Sequence, residues 1–299
     1  MTVYDQVSKN KRRTFFIFFI FFVVISGFFY LLGNFFESPT TYFAFGLLFS
    51  IASGFTSYFF SDKIILFSLN AKPGDKKEYF DFYTTTENLA IAAGLPMPKL
   101  YVIEDQSPNA LATGRDNKHA VVCATTGLLE MLNRRELEGV VGHELSHVKN
   151  YDILISSVVA TLVGMIAIVS DWIMRNIWWG GFSRENRDQE DRNPLMIVFF
   201  ILLLIVGPLV ATLIQLAISR QREFLADSSS ALLTRYPEGL AEALEKISAN
   251  PYPLRNVSSA TAHLFISNPF KKNRTTSWII NLFNTHPPVE ERIRILRSM

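Results

Sequence analysis

The sequence predicts a mostly α-helical membrane protein, with about four transmembrane helices and a cytoplasmic α+β domain that contains a small sheet. The 299-residue chain is 49% hydrophobic, with a mean hydropathy of +0.19 and 26 Phe, which is too apolar for an ordinary soluble enzyme. Four long segments carry no charged residue. The two remaining stretches, residues 61–152 and 219–299, are mixed in polarity and together long enough to bury a core.

The N-terminal part predicts an anchor of two membrane helices. Residues 1–13 are polar and basic, and residues 14–60 contain two uncharged runs, Thr14–Phe36 and Thr41–Phe60. Each run is long enough to cross the hydrocarbon core of a bilayer. The first run has no small-residue cleavage site at its end, so we interpret it as an uncleaved anchor and not as a signal peptide.

The distribution of positive charge predicts the orientation of this anchor. Lysine and arginine precede the first run and follow the second, whereas the connection Glu37–Thr40 has neither. The positive-inside rule places such basic flanks in the cytoplasm. Residues 1–13 and residues 61–152 are therefore expected on the cytoplasmic side.

Residues 153–218 predict a second membrane hairpin with a polar connector at residues 175–194. Its uncharged runs are Ile153–Ser170 and Leu195–Ile218, and a Gly-Pro pair inside the second run predicts a kink. A hairpin buried inside the domain formed by residues 61–152 and 219–299 is the alternative. The candidate metal ligands described below lie just before and just after this segment, so both runs must cross the membrane or neither can.

Residues 61–152 and 219–299 are predicted to form the two parts of one catalytic domain. Turn residues, apolar runs and helix-start signals predict its elements. These are a helix at Thr86–Ala93 that ends at Gly94, strands at Lys99–Ile103 and Ala120–Ala124, a helix from Pro237 to the residue before Asn250, and a final helix that begins near Pro288.

The most informative motif is His143-Glu144-Leu145-Ser146-His147. It lies in a predicted helix that starts at Asn133, which forms a capping-box-like pair with Glu136. Two His four residues apart share a helix face, so both imidazoles can bind one Zn²⁺. Glu144 can then reach a water on the open side of the metal and act as general base. The motif indicates a zinc-dependent hydrolase with one zinc ion per chain.

Zinc catalysis needs a third protein ligand, and the spacing leaves its identity open. Asp152 lies five residues after His147 but off the His face of the helix. Glu223 and Asp227 are four residues apart in a second predicted helix, so one can bind zinc while the other accepts the free ring N–H of a zinc-bound His. A solvated charged helix is the alternative interpretation of that segment.

These motifs together resemble the HtpX family, which are membrane-integrated zinc metalloproteases of the HExxH gluzincin type, related to the CAAX prenyl endopeptidases. The resemblance covers nearly the whole chain. Besides the two-histidine motif, it is carried by Arg222-Glu223-Phe224 with Ala226-Asp227, by His286-Pro287-Pro288 with Arg292, and by residues 107–114, in which Leu111 stands where Phe is more usual.

The resemblance implies a zincin-like catalytic domain with a defined set of site residues. His143, His147 and Glu223 would be the zinc ligands. Asp227 would contact a ligand histidine without binding the metal itself. Glu144 would be the catalytic base, and His286 would be a second catalytic residue that helps to stabilise the oxyanion. The implied function is a membrane-embedded zinc metalloendopeptidase that acts in protein quality control and the stress response at a bacterial cell membrane.

Asn109 and Ala110 are the candidate substrate-binding residues. The strand near Ala120–Ala124, together with Asn109–Thr113, is where an extended peptide can add as another strand, held through main-chain hydrogen bonds. An ordinary sheet edge is the alternative. His119 and His263 have no partner at metal-ligand spacing, so we interpret both as surface or packing residues.

The expected partners are protein substrates, above all membrane proteins, and the lipid bilayer. A net charge of +2 and the lack of nucleotide-binding or nucleic-acid motifs exclude nucleic acid and nucleotide. The single Cys123 excludes an intramolecular disulfide and a cysteine zinc site. The oligomeric state stays open.

Three rival functions are less well supported by the sequence. A silent scaffold with structural zinc would not need Glu144, and a transporter would need charged residues inside its spans. Prenyl-protein processing would need more spans to enclose a chamber.

Overall fold

The computed structural model describes residues 3–35, 37–178, 219–255, 257–258, 260–270 and 287–299, together with Gly207, Val210, Thr212 and Leu213. Its helices and strands are α1 (Val3–Phe35), α2 (Pro39–Ser68), β1 (Lys72–Pro73), α3 (Phe80–Ala93), β2 (Lys99–Ile103), β3 (Ala110–Gly114), β4 (Ala120–Thr125), α4 (Thr126–Met131), α5 (Arg134–Lys149), α6 (Asp152–Trp178), α7 (Arg220–Thr234), α8 (Pro237–Ala249) and α9 (Val289–Leu296). The described chain is thus mostly helical with one small sheet, as predicted.

Helices α1 and α2 form a hairpin that is apolar on its outside. The turn is tight: the Ser38 N–H donates to the Gly33 carbonyl at 2.8 Å. Large side chains such as Phe15, Phe45 and Leu48 remain 74%, 60% and 64% exposed. By length and composition, Asp5–Asn34 and Pro39–Ser68 can each cross a membrane. The two predicted runs are therefore the apolar parts of longer helices.

The second predicted hairpin is described only in part. Its first run lies in α6, where Ile155, Val158 and Leu162 are fully buried in a cluster shared with α1. Helix α5 and the first part of α6 together are long and apolar enough to be a third candidate span, but the chain bends by 84° between them. Leu195–Ile218 lies outside the described residues except for four positions, as does most of the connector. The number of spans beyond two stays a prediction.

The sheet has the strand order β1-β2-β4-β3, with β2 and β4 parallel and both outer pairs antiparallel. Strand β2 has the predicted bounds, and β4 is one residue longer than predicted. Strand β1 is too short to leave a periodic signal. Both faces of the sheet are buried, because Ala112 and Val122 pack in the cluster that contains α5 while Leu111 packs in a cluster on the opposite face.

Helix α5 carries the two-histidine motif and lies among the sheet, α3, α7 and α8. Its predicted start is confirmed: the Asn133 side chain accepts from the Glu136 N–H at 3.1 Å, and the Glu136 carboxylate accepts from the Asn133 N–H at 2.9 Å. Helix α3 ends at Gly94 in the left-handed region, as predicted, but begins at Phe80, six residues before the predicted start. Eleven residues of α5 are buried, so the helix is a central element of the domain.

Gly139 allows α8 to pack directly on α5. A Cβ atom at this position would lie 2.6 Å from the Leu240 backbone nitrogen. The Ser230 hydroxyl of α7 also donates to the Gly139 carbonyl at 2.7 Å. The Ser230 hydrogen bond joins α7 to α5, the two helices that carry the candidate ligands.

We expect Gly139→Ala to destabilise the protein by about 1–3 kcal/mol, because the added methyl group overpacks the contact with Leu240. The matched control is Gly164→Ala in α6, where nothing lies within 4 Å of the added Cβ. Thermal unfolding of both variants in detergent, followed by circular dichroism, measures the difference. Equal midpoints for the two variants would contradict the packing argument.

Candidate metal centre

Three metal-binding side chains converge where α5 faces α7. The Nε2 atoms of His143 and His147 are 3.1 Å apart. In the Glu223 carboxylate, Oε2 lies 3.7 Å from the His143 Nε2 and Oε1 lies 3.5 Å from the His147 Nε2. Ligands bound tetrahedrally at about 2.1 Å are roughly 3.4 Å from one another, so the two nitrogens and one oxygen suit Zn²⁺. These three residues form a group that could hold a metal ion.

Each imidazole is held from behind by a buried carboxylate. His143 Nδ1 donates to Asp227 at 2.9 Å, and His147 Nδ1 donates to Asp152 at 3.0 Å. Both Nδ1–H groups are thereby used, which directs both Nε2 atoms to the common centre. Asp152, weighed above as a ligand, thus lies on the far side of His147. The sequence spacing could not reveal this, because Asp152 follows the left-handed Tyr151 (φ 60°) in the 84° bend between α5 and α6 and so does not continue the spacing of α5.

Asp152 is itself held by residues that are distant in sequence. The Asn10 amide of α1, only 2% exposed, donates to the Asp152 carboxylate at 2.8 Å and to the Asn150 carbonyl at 2.9 Å. The Arg222 guanidinium donates to the same Asp152 oxygen at 3.3 Å. Sequence reasoning missed Asn10, since no local signal links positions 142 residues apart.

Arg292 holds Asp227 on the other side of the centre. The guanidinium is completely buried and donates through Nε and Nη2 to both Asp227 oxygens, at 2.8 and 2.7 Å. Its Nη1 donates to the Ile266 carbonyl at 3.0 Å. The resemblance included Arg292 without a role; the structure gives it the paired contact that fixes Asp227 and connects α9 to the centre.

The charges of the site determine where protons reside. Burial raises the pKa of the Glu144 carboxyl group to about 7, with a further contribution from Glu223. Burial alone would lower the pKa of His147, but Asp152 and Glu223 outweigh it and raise that pKa to about 9. For His143, burial prevails and lowers the pKa in spite of Asp227. The protein groups alone therefore place a proton on His147, which a metal ion must displace.

Asp227 shows the opposite balance. Burial by itself would raise its pKa, but Arg292 and His143 lower it to about 2. The carboxylate is therefore ionised at neutral pH and can accept the His143 N–H.

The edge strand β3 contacts Glu144 and one other segment of the chain. The Thr125 N–H of β4 donates to the Asn109 carbonyl. Residues of an antiparallel strand bond to the partner strand alternately, so the N–H and C=O groups of Ala110 and Ala112 face away from β4. The Ala112 N–H donates to the Glu144 carboxylate. The candidate substrate residues contact the chain itself: the Ala110 carbonyl accepts from the Ile266 N–H at 2.9 Å, and the Asn109 amide donates to the Ser267 carbonyl at 2.9 Å.

Residues 263–266, which pair with β3, also cover the metal centre, and we call them the roof. Phe265 forms an isolated antiparallel bridge with Leu111, and residues 263–266 line a cavity of about 40 Å³ together with Glu144 and the three candidate ligands. Such a volume accommodates a metal ion and a water.

The remaining histidines are placed as follows. His263 is buried, lines this cavity and lies 3.2 Å through Nε2 from the Ser156 carbonyl. His119 is exposed and pairs with Asp116 at 2.7 Å. His286 lies outside the described residues, so its predicted role near the cleft stays a prediction.

Comparison with known proteins gives consistent findings along the whole chain. Residues 81–299 match peptidase family M48. The chain is similar to the Protease HtpX homolog of Caldanaerobacter subterraneus, with 43% identity covering 100% of this chain and 98% of that one. The homolog of the same name in Streptococcus gordonii is 41% identical, covering 99% and 100%.

A solved structure shares the fold. The crystal structure of S. mikatae Ste24p superposes with a TM-score of 0.51 at 19% identity, covering 94% of this chain. The chain spans 62% of the length of that protein.

We expect Arg292→Met to destabilise the protein by about 3–5 kcal/mol, because it leaves the buried Asp227 carboxylate without its charged partner. The matched control is Arg297→Met, directly after the same helix, since Arg297 is exposed and pairs with the surface acids Glu238 and Glu245. Thermal unfolding in detergent should show a large loss for the first variant and little change for the second. Similar midpoints would mean that the buried pair does not stabilise the fold.

Proposed function

Since the chain belongs to peptidase family M48 and, within it, to the HtpX proteases, we propose that it is a membrane-embedded zinc metalloendopeptidase. One observation carries the proposal: the buried Glu144 lines the same small cavity as the three convergent metal donors. A zinc ion that only joined helices would need no carboxylate beside its open position. The proposed substrates are membrane or misfolded proteins, and the proposed role is protein quality control under stress.

His143, His147 and Glu223 are proposed to hold one zinc ion per chain. Bound there, zinc would polarise a peptide carbonyl and lower the pKa of a water toward about 7. The protein groups are arranged for this set of ligands, because Asp227 and Asp152 fix the two rings with their Nε2 atoms toward the centre. This assignment makes Glu223, and not Asp152, the third ligand.

Glu144 is proposed as the general base. It accepts a proton from the water that attacks the scissile carbonyl, and it passes this proton to the leaving amine nitrogen. The Ala112 N–H orients its carboxylate. Because burial raises the pKa of Glu144 to about 7, its carboxyl group can both take up and release a proton near neutral pH. A cation close by would lower this pKa and favour the ionised form that accepts the proton from water. His286 is proposed to stabilise the oxyanion.

The outer edge of β3 is the proposed binding site for an extended peptide. A substrate strand that added beside Ala112 would place its backbone next to Glu144. Asn109 and Ala110 would take part only if residues 263–266 move, because those residues now occupy the edge and leave a cavity of about 40 Å³. A peptide bound along Asn109 and Ala110 would therefore have to displace this segment.

The metal centre is proposed to face the cytoplasm. The basic flanks of the two apolar helices support this side. The contact between Asn10 and Asp152 supports placing the N-terminus and the metal centre on one side of the membrane, whichever side that is. The proposed location is a bacterial cell membrane.

We expect Glu144→Gln to retain about one zinc ion per chain and to lose peptide hydrolysis, because the amide keeps the shape of the side chain but cannot accept the proton. Glu223→Ala should instead lose zinc, since it removes a ligand. Zinc content by atomic emission and cleavage of an unfolded casein measure the two effects. Full activity of Glu144→Gln would exclude the mechanism, and unchanged zinc content of Glu223→Ala would exclude the ligand assignment.

Asn10→Ala should weaken zinc binding about 10-fold, because Asp152 loses its contact with α1. Removing a residue that hydrogen-bonds a metal ligand typically lowers metal affinity by about 10- to 100-fold, and Asn10 acts one step farther away. Asn34→Ala is the matched control, since Asn34 lies on the same helix but is exposed and bonds only to its own helix at Tyr30. Competition with a zinc chelator measures the affinity. If Asp152→Ala weakens zinc binding while Asn10→Ala does not, α1 makes no contribution to the centre.

A further inference from the structure

A second cavity, of about 740 Å³, lies where the α1–α2 hairpin meets the catalytic domain. Its walls come from α1, α2, the segment Arg115–Lys118 after β3, and the turn between α5 and α6. None of the proposed zinc ligands lines it. The cavity is therefore separate from the metal centre, although Tyr151 and Leu154, which line it, flank Asp152.

The position of this cavity matches the boundary between water and hydrocarbon. Lys11 lies just before the uncharged run that begins at Thr14, and Phe15 and Phe18 follow on the same helix, roughly 6 and 10 Å farther along its axis. Tyr58 closes the cavity near the end of the uncharged run of α2. One end of the cavity is thus polar and the other is aromatic, with Phe15 74% exposed. A tyrosine at this level, such as Tyr58, is typical of a membrane interface.

The polar end carries an excess of positive charge. Three of the lining residues are cations, namely Lys11, Arg115 and Lys118, and the acid among them is Asp116. The Asp116 carboxylate is already satisfied, since it accepts from His119 at 2.7 Å and from the Lys118 N–H at 2.9 Å. Among the described residues, no acid lies within ion-pair distance of the Lys11 or Lys118 ammonium group, and Lys11 lies over the Tyr151 ring at 4.8 Å. Two ammonium groups therefore remain available for an anion.

We propose that this cavity binds an anionic glycerophospholipid, with its phosphate between Lys11 and Lys118 and an acyl chain along Phe15 and Phe18. A phosphate held by lysines explains the polar end, and a hydrocarbon chain explains why exposed aromatic side chains adjoin it. A soluble phosphate would gain nothing from the aromatic wall. The lipid would fix the catalytic domain against the bilayer at the turn that carries Asp152.

The test uses the full-length protein in a neutral detergent and native mass spectrometry of bound lipid. The probes are dioleoyl phosphatidylglycerol and dioleoyl phosphatidylcholine, which share acyl chains and differ in net charge, and glycerol 3-phosphate as a soluble phosphate. We expect phosphatidylglycerol to bind at least 10-fold more tightly than the other two. Lys11→Gln with Lys118→Gln should remove most of this preference, since each interfacial lysine contributes several-fold to binding of anionic lipid.

Two matched double variants separate the cavity from diffuse surface charge. Lys63→Gln with Lys77→Gln removes the same charge outside the cavity and should leave the preference intact. Lys11→Arg with Lys118→Arg keeps both charges and should retain it. Zinc content and the unfolding midpoint, measured for every variant, report whether the protein still folds, and the lipid measurement does not depend on peptidase activity.

Three outcomes would overturn the proposal. The Lys11→Gln, Lys118→Gln protein could keep the preference of the unmodified protein. The Lys63→Gln, Lys77→Gln protein could lose it equally, which would mean that the surface attracts anions without a site. Glycerol 3-phosphate could bind as tightly as phosphatidylglycerol, which would make the ligand a free phosphate and not a lipid.

Discussion

The rest of the centre depends on the bonds between each imidazole Nδ1 and a buried carboxylate. Asp227 and Asp152 fix the tautomer and orientation of His143 and His147, and without them neither ring would direct Nε2 inward. Each carboxylate is in turn held from a different part of the chain, Asp227 by Arg292 and Asp152 by Asn10. The first helix and the last helix of the protein are thereby joined to one another through the metal centre.

Burying so many ionisable groups is tolerable only because they compensate one another. Burial raises the pKa of the Glu144 carboxyl group, to which no cation is bonded among the described residues, whereas the guanidinium of Arg292 keeps Asp227 ionised. The two Nε2 atoms and the Glu223 carboxylate face one another across less than 4 Å. That arrangement suits a cation at the centre.

Arg292 also connects the centre to the segment that covers it. Its Nη1 donates to the Ile266 carbonyl, and the Ile266 N–H donates to the Ala110 carbonyl of the edge strand. The same guanidinium therefore fixes Asp227 and also bonds to the residues that cover the cavity. Displacement of the roof by a peptide would leave one N–H of Arg292 to be satisfied by water or by the substrate itself, so access to the site and its charge balance are physically coupled.

The sequence by itself determined what depends on short spacing. The i, i+4 pair His143 and His147, the cap at Asn133 and the left-handed end at Gly94 follow from helix geometry, and the uncharged runs of the first 60 residues predict two apolar helices. Motif similarity added Glu223 and Asp227. Only the tertiary structure decided the contacts of Asn10, Asp152, Arg292 and the segment at 263–266, because each joins positions that are brought together by packing. Local sequence carries no record of which distant side chain satisfies a buried carboxylate.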